Sequence, residues 1–203
     1  FSLGGFLELL ADEDLDEETR RAFLEQIRGQ VDRMRMLATE LLDLSRLESG
    51  ALELHPEPTD IGQLAREVAA EFTPAAQQHR TEVRLDLERE PLELECDPER
   101  VAQVLRILLD NALRHTVAGG HVRVTLEGEP GAVLLTVSDD GIGLDPRDAG
   151  RLLARYGTSS PSPGYGLGLA LVREVVDSHH GTIEVDGRPG EGAAFTIRLP
   201  RAP

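Results

Sequence analysis

The sequence predicts an α+β protein: a layer of helices packed on a mixed or antiparallel sheet, with a helical hairpin ahead of it. Three observations carry this expectation. A proline-free stretch from Leu15 to Ser49 repeats its apolar residues with helical period. After Pro56 and Pro58 the pattern switches repeatedly between periods of 3.6 and 2. Those helices and strands do not alternate strictly, as a doubly wound parallel sheet would require. The expected division is therefore 1–55 for a shortened helical hairpin and 56–203 for the α+β domain.

Each element has a local reason. Leu24, Ile27, Val31, Met34, Ala38 and Leu41 form a heptad seam, and Phe23, Leu37, Leu42 and Leu44 widen it into a bundle-like stripe. A helix of roughly 30 residues is about 45 Å long and needs partner helices. Ahead of it stands only the apolar stub Leu3, Phe6, Leu7 and Leu10, followed by Asp12-Glu13-Asp14. This reads as a dimerising hairpin whose first helix is cut short, with any helical hairpin as the plainer alternative. Ser49-Gly50 ends the long helix. Asp60 and Gln63 make a capping box for a helix with Ile61, Leu64, Ala65, Val68 and Phe72 on one face. Thr81–Leu87 alternates as a strand, and Asp97-Pro98 opens a helix running to about His115. Strands follow at His121–Glu127 and Ala132–Val137 around the turn Glu129-Pro130-Gly131. A helix over Gly166–His179 and strands at Thr182–Asp186 and Ala193–Leu199 complete the chain.

Composition narrows the chemistry. Of 203 residues, 40% are hydrophobic and 29% charged, as in an ordinary globular chain. The net charge of −16 argues against a nucleic-acid surface. All 21 basic residues are arginine. Without lysine there is no P-loop, no ordinary protein-kinase lysine and no pyridoxal Schiff base. Cys96 stands alone, which excludes an internal disulfide and a thiolate zinc cluster and suits a reducing, cytoplasmic setting. No apolar run approaches eighteen residues, so no membrane contact by this fragment is expected. Because it starts at Phe1 rather than Met, we expect a piece of a longer polypeptide, such as the cytoplasmic part of a membrane-bound receptor.

Three segments carry candidate chemistry. Ile107, Asn111, Arg114 and His115 share a stripe of the helix from Pro98. A carboxamide oxygen can ligate Mg²⁺, and an arginine one turn on can meet a phosphate. A helix end with ordinary surface side chains is the plain alternative. Ser138-Asp139-Asp140-Gly141-Ile142-Gly143-Leu144 follows an apolar strand. A carboxylate at a strand end can accept from an amino group while glycines let a ring approach the backbone. A calcium loop fits poorly, since its D-x-[DN]-x-[DN]-G spacing is absent, and a simple turn stays open. Gly164-Tyr165-Gly166-Leu167-Gly168-Leu169 precedes a helix, where free amides and the macrodipole suit phosphate. Upstream, Gly157–Pro163 has the composition of a mobile lid.

In this order the segments resemble a sensor histidine kinase over nearly the whole chain. Leu108-Leu109-Asp110-Asn111-Ala112-Leu113-Arg114-His115-Thr116 is similar to that family's N box, Asp139–Gly143 to its first glycine box and Gly164–Leu169 to its second. Leu152-Leu153-Ala154-Arg155-Tyr156 stands where the phenylalanine box falls, and Gly190–Phe195 with Leu199-Pro200 matches the closing strand. Leu41–Gly50 resembles the end of the kinase hairpin's second helix. The resemblance implies a two-layer α/β sandwich, the Bergerat-type ATP-binding fold shared with gyrase, the Hsp90 chaperone and mismatch-repair ATPases, behind a dimerisation and phosphotransfer hairpin. It implies ATP and Mg²⁺ as ligands, with Asn111 on Mg²⁺ and Asp139 on the adenine amino group. Gly141 and Gly143 would admit the ring. Gly164, Gly166 and Gly168 would let the lid fold and present amides to the phosphates. Arg114 and Arg155 would neutralise charge, His115 would lie near adenine or ribose, and Leu167 and Tyr156 would join the nucleotide-binding set. The implied partners are a second copy, making a homodimer, and a response-regulator receiver domain. The implied reaction is γ-phosphoryl transfer to a histidine and then to an aspartate.

Two departures qualify the resemblance. None of the six histidines has the phosphoacceptor's setting on a first hairpin helix, so we expect the acceptor to lie before Phe1. Ile107 stands one turn before Asn111, where these kinases place a polar residue and ATPase relatives a glutamate. Isoleucine can neither polarise water nor bond a phosphate. The competing reading is thus a nucleotide-responsive dimerisation module with weak or lost kinase activity. A third, an ATPase or serine-kinase relative, fits the long heptad helix less well.

Overall fold

The computed structural model describes residues 16, 18–21, 23, 24, 26–29, 31, 34, 54–88, 91–153 and 168–201. The described residues between 18 and 34 are helical. Asp16 caps this helix, its carboxylate accepting from the Thr19 amide (2.8 Å) and hydroxyl (2.7 Å). Those bonds, the amide's first, lower the Asp16 pKa. Along the expected seam Ile27 and Val31 are half-buried, whereas Leu24 is 53% and Met34 61% exposed. The remainder of the expected Leu15–Ser49 helix lies outside the described residues.

The second part runs β1 (Glu57–Asp60), α1 (Ile61–Glu71), α2 (Thr73–His79), β2 (Glu82–Leu87), β3 (Glu93–Cys96), α3 (Pro98–His115), β4 (His121–Glu129) and β5 (Ala132–Asp139). A 3₁₀ turn (Pro146–Asp148), α4 (Ala149–Leu152), α5 (Gly168–Ser178), β6 (Thr182–Arg188) and β7 (Gly192–Pro200) follow. Five strands form one sheet in the order β2-β4-β5-β7-β6. Only the β2–β4 pair is parallel, from Glu82↔His121 to Leu87↔Leu126; the other pairs are antiparallel. The sheet is therefore mixed, and helices cover it, as the sequence predicts. Alternation decides the faces: Val122, Val124, Leu126, Leu135, Val137, Phe195 and Ile197 are buried in the core, while Arg123, Thr136 and Arg198 stay accessible. α3 lies centrally between α1 and α5, burying Val101, Val104, Leu105, Leu108, Leu109 and Ala112.

Caps explain where the helices begin and end. Asp97 accepts from the Arg100 amide (3.1 Å) and Pro98 occupies the first turn of α3. At the other end the Thr116 hydroxyl donates to the Ala112 carbonyl (2.7 Å). Asp60 accepts from the Gly62 and Gln63 amides, but Gln63 bonds Glu67 instead of returning to the cap, so half of the expected box forms. Elements that went unexpected are α2, the 3₁₀ turn with α4, and the two-stranded ribbon of β1 and β3, with Glu57 opposite Cys96. Among the described residues no helix is long and apolar enough to cross a membrane.

Candidate functional site

The C-terminal end of α3 and the C-terminal end of β5 meet. The Ile142 amide donates to the His115 carbonyl (3.1 Å), which holds the turn after β5 against the helix. Gly141 is buried there, and a Cβ on it would fall on that same carbonyl oxygen. Gly143 has φ +68°, and a Cβ would overlap the Arg188 carbonyl. From the β6–β7 turn, Gly192 at φ +86° leaves no room for a Cβ beside the Asp139 carbonyl, and the Gly190 amide donates to the Ile142 carbonyl (2.8 Å). Glycine is required at 141, 143 and 192 because backbone packs on backbone. The roles of Gly190 and Gly192 escaped the sequence reading; the signal was a Gly-x-Gly turn between the last two strands.

The adjacent carboxylates diverge. Asp139 is half-buried, and one of its oxygens accepts from the Gly141 amide (2.9 Å). Burial raises its pKa, against the pull of that amide and of His115. Asp140 is exposed and faces β4, accepting from the His121 amide (2.7 Å) and lying 2.9 Å from His121 Nδ1. Those two bonds, the amide's first, lower its pKa. Asp140 thus anchors the turn, and Asp139 stays half-buried in the corner, where the Ala193 amide adds to the pull of the Gly141 amide on its carboxylate.

On α3, Asn111 is partly buried and its carboxamide has no hydrogen-bond partner among the described residues. Arg114 turns back to Asp110 (2.7 Å), and His115 is exposed. Ile107 is half-buried and packs on the core. Gly168 begins α5, which packs beside α3. Arg155, Tyr156, Gly164, Gly166 and Leu167 lie outside the described residues. No group of three His, Cys, Asp or Glu side chains suited to a metal occurs among the described residues. The donor set fits a Mg²⁺ ion carried largely by a ligand's own phosphates, with one protein oxygen from Asn111.

Comparison with known proteins agrees with this geometry. Residues 96–203 match the family described as histidine kinase-, DNA gyrase B- and HSP90-like ATPase, and residues 2–50 match the His Kinase A (phospho-acceptor) domain. The sensor histidine kinase MtrB of Mycobacterium tuberculosis is 34% identical over 192 residues, covering 92% of this chain. The chain spans 34% of MtrB's length. Among solved structures, the Acinetobacter baumannii histidine kinase AdeS is 27% identical with a TM-score of 0.78, covering 99% of this chain and 94% of that one. Full-length ShkA in complex with AMPPNP is 29% identical with a TM-score of 0.79, covering 98% of this chain and 42% of that one. With the Asp139–Gly143 box set against the N-box helix and a phospho-acceptor domain match ahead of it, the chain belongs to the histidine kinase-, DNA gyrase B- and HSP90-like ATPases and, among them, to the sensor histidine kinases.

Proposed function

We propose that residues 56–203 bind ATP with Mg²⁺ and transfer its γ-phosphoryl group to a histidine on an acceptor hairpin, for relay to a response-regulator aspartate. The observation that carries this reading is the half-buried carboxylate of Asp139, held by the Gly141 amide at the end of β5 in a turn that glycines let pack tightly against α3 and the β6–β7 turn. Such a corner suits a flat base: the exocyclic amino group donates to the carboxylate, and no side chain from 141, 143 or 192 obstructs the ring. Asn111 reaches the phosphate side from α3, and bound Mg²⁺ would supply charge neutralisation there. The second glycine box, ending at Gly168, offers the first amides of α5 to the phosphates. Arg114 exchanges Asp110 for a phosphate oxygen, and Arg155 adds a second positive charge. We assign His115 to the adenine or ribose side, and Tyr156 and Leu167 to nucleotide binding. Transfer then needs positioning above all, because neutral imidazole is already a nucleophile; its nitrogen bonds to phosphorus as the bond to the leaving ADP oxygen breaks.

We assign residues 1–55 to the dimerising hairpin. Leu24 and Met34 expose apolar surface that a second copy would cover, making a homodimer. Ile107 supports the second reading, a nucleotide-responsive module with weak transfer, because an aliphatic group packed on the core offers the phosphates nothing. Labelled ATP with a separate acceptor hairpin divides the two. Label on the hairpin establishes the kinase; ATP binding without label establishes the module. Absence of any ATP-dependent rise in melting temperature refutes both.

A further inference from the structure

Asp97 does more than cap α3. It is 5% exposed and bonded on three sides. One carboxylate oxygen accepts from the Arg100 amide, and the other accepts from the His55 amide (3.0 Å), in the segment entering from the hairpin. Its own N–H donates to Nε2 of His179 (3.0 Å), just past the end of α5. His179 Nδ1 lies 2.8 Å from the Val175 carbonyl. A carbonyl can only accept, so Nδ1 carries the proton and Nε2 offers its lone pair. These partners together require the neutral ring.

Among the described residues the hydrogen bonds of that ring go to these two backbone groups. The crevice it lines is walled by Val101 and Val104 of α3, Val175 and Val176 of α5, and Ile197 and Leu199 of β7. Asp97, whose backbone N–H the ring accepts, lies in the turn between β3 and α3. Arg100, next along α3, bonds the Gln103 carboxamide (2.8 Å). Titratable side chains bonded to this junction or adjacent to it in the chain are those of His55 and His180, both exposed, and the buried thiol of Cys96, which burial pushes up to about 11.

We propose that Asp97 and His179 are positioning residues that hold the hairpin-side segment on the nucleotide domain, and that a proton on His179 releases it. An imidazolium has no lone pair at Nε2, so the Asp97 amide loses its acceptor. The new Nε2–H needs an acceptor in apolar surroundings, and the nearby carboxylate is already shared by Arg100 and His55. Turning to the imidazolium, that carboxylate leaves the His55 amide. The held form binds one proton fewer than the released form, so holding is favoured at high pH and lost as pH falls. The same residues secure the ends of α3 and α5 remote from Asn111 and Gly168, so release alters the entering segment and not the site. Its meaning for signalling rests on the kinase reading above; the junction itself does not.

The test is imidazole ¹⁵N spectroscopy and amide hydrogen exchange on the 203-residue chain, from about pH 8 to about pH 5. At the upper end His179 should show the Nδ1–H tautomer. After correction for intrinsic exchange, the His55 amide should lose protection roughly ten- to a hundred-fold on acidification, the loss of one charge-assisted hydrogen bond. His179→Gln keeps an acceptor and cannot titrate, so its His55 protection should stay flat. An Nε2–H tautomer in the wild type overturns the proposal, as does equal acid sensitivity in wild type and His179→Gln. Should the variant not fold, the wild-type tautomer and its loss in step with His55 protection decide alone. MgATP affinity, read in parallel by melting temperature, should not follow this transition. Failure of MgATP to bind at any pH would count against the kinase reading while leaving the junction measurement intact.

Discussion

Asp139 and Asp140 share a turn and carry opposite costs. Asp140 is stabilised in its charged form by His121, whereas Asp139 is held charged in a half-buried corner that opposes the charge. A carboxylate whose folded pKa is raised adds stability when protonated, and that stability is lost as pH rises through the folded pKa. At neutral pH, then, Asp139→Asn should leave the ligand-free melting temperature unchanged or higher. Saturating MgATP at about 100 times its Kd adds roughly 2.7 kcal/mol to the wild type, a rise of about 5–10 °C for a chain this long; the variant should lose that rise. A variant that responds to MgATP as fully as wild type would remove Asp139 from the site. Gly143→Ala should cost about 2–5 kcal/mol, combining overpacking against the Arg188 carbonyl with the left-handed φ. Chemical denaturation would measure it, and a loss under 1 kcal/mol would show that the turn yields easily. The glycines and Asp139 were legible because their chemistry is local. Asp140's partner was not: His121 stands nineteen positions away, and only the β4–β5 pairing brings it close.

At the scale of elements, α3 joins core and site, and Ile107 sits where those duties compete. It faces the core enough to be half-buried, yet it stands one turn before Asn111. Ile107→Asn should speed phosphoryl transfer to a hairpin about ten- to a hundred-fold, the worth of one charge-assisted contact, with little change in ATP affinity. The same change should lower stability by about 1–3 kcal/mol through burial of a polar amide. Single-turnover kinetics beside thermal unfolding would separate these effects, and an unaltered rate would mean that position 107 does not limit transfer. Long elements with strong periodicity or caps were readable, α3 to its last residue. The β1–β3 ribbon was not: β1 carries Pro58 and no buried residue, and β3, although it alternates exposed Glu93 and Glu95 with buried Leu94 and Cys96, is only four residues long. α2 was hidden because its Thr-Pro start follows the last turn of α1 directly. Strand order was also beyond the sequence, because pairing β2 with β4 depends on where α3 lies.

For the whole molecule, acceptor and catalyst are expected to be separate. Residues 2–50 match the phospho-acceptor domain yet contain no histidine; the first in the chain is His55. Incubated alone with labelled ATP, the chain should form no phosphohistidine, whereas an intact hairpin supplied in trans should become labelled. Acid-labile label on this chain would contradict the assignment. Sedimentation at several concentrations should show a weak dimer, and a strict monomer that keeps its long helix would contradict the bundle. The single parallel pair has a further bearing, on the order of assembly. β4 and β5 close across the two-residue turn Pro130-Gly131, but β2 reaches β4 only after a chain reversal occupied by β3 and α3. Short closures cost less entropy, so the β4–β5 hairpin is set to nucleate while β2 docks last. The sheet thus has an early side and a late side, and a chain caught half-made would expose β4 as an open edge, inviting the strand of another copy.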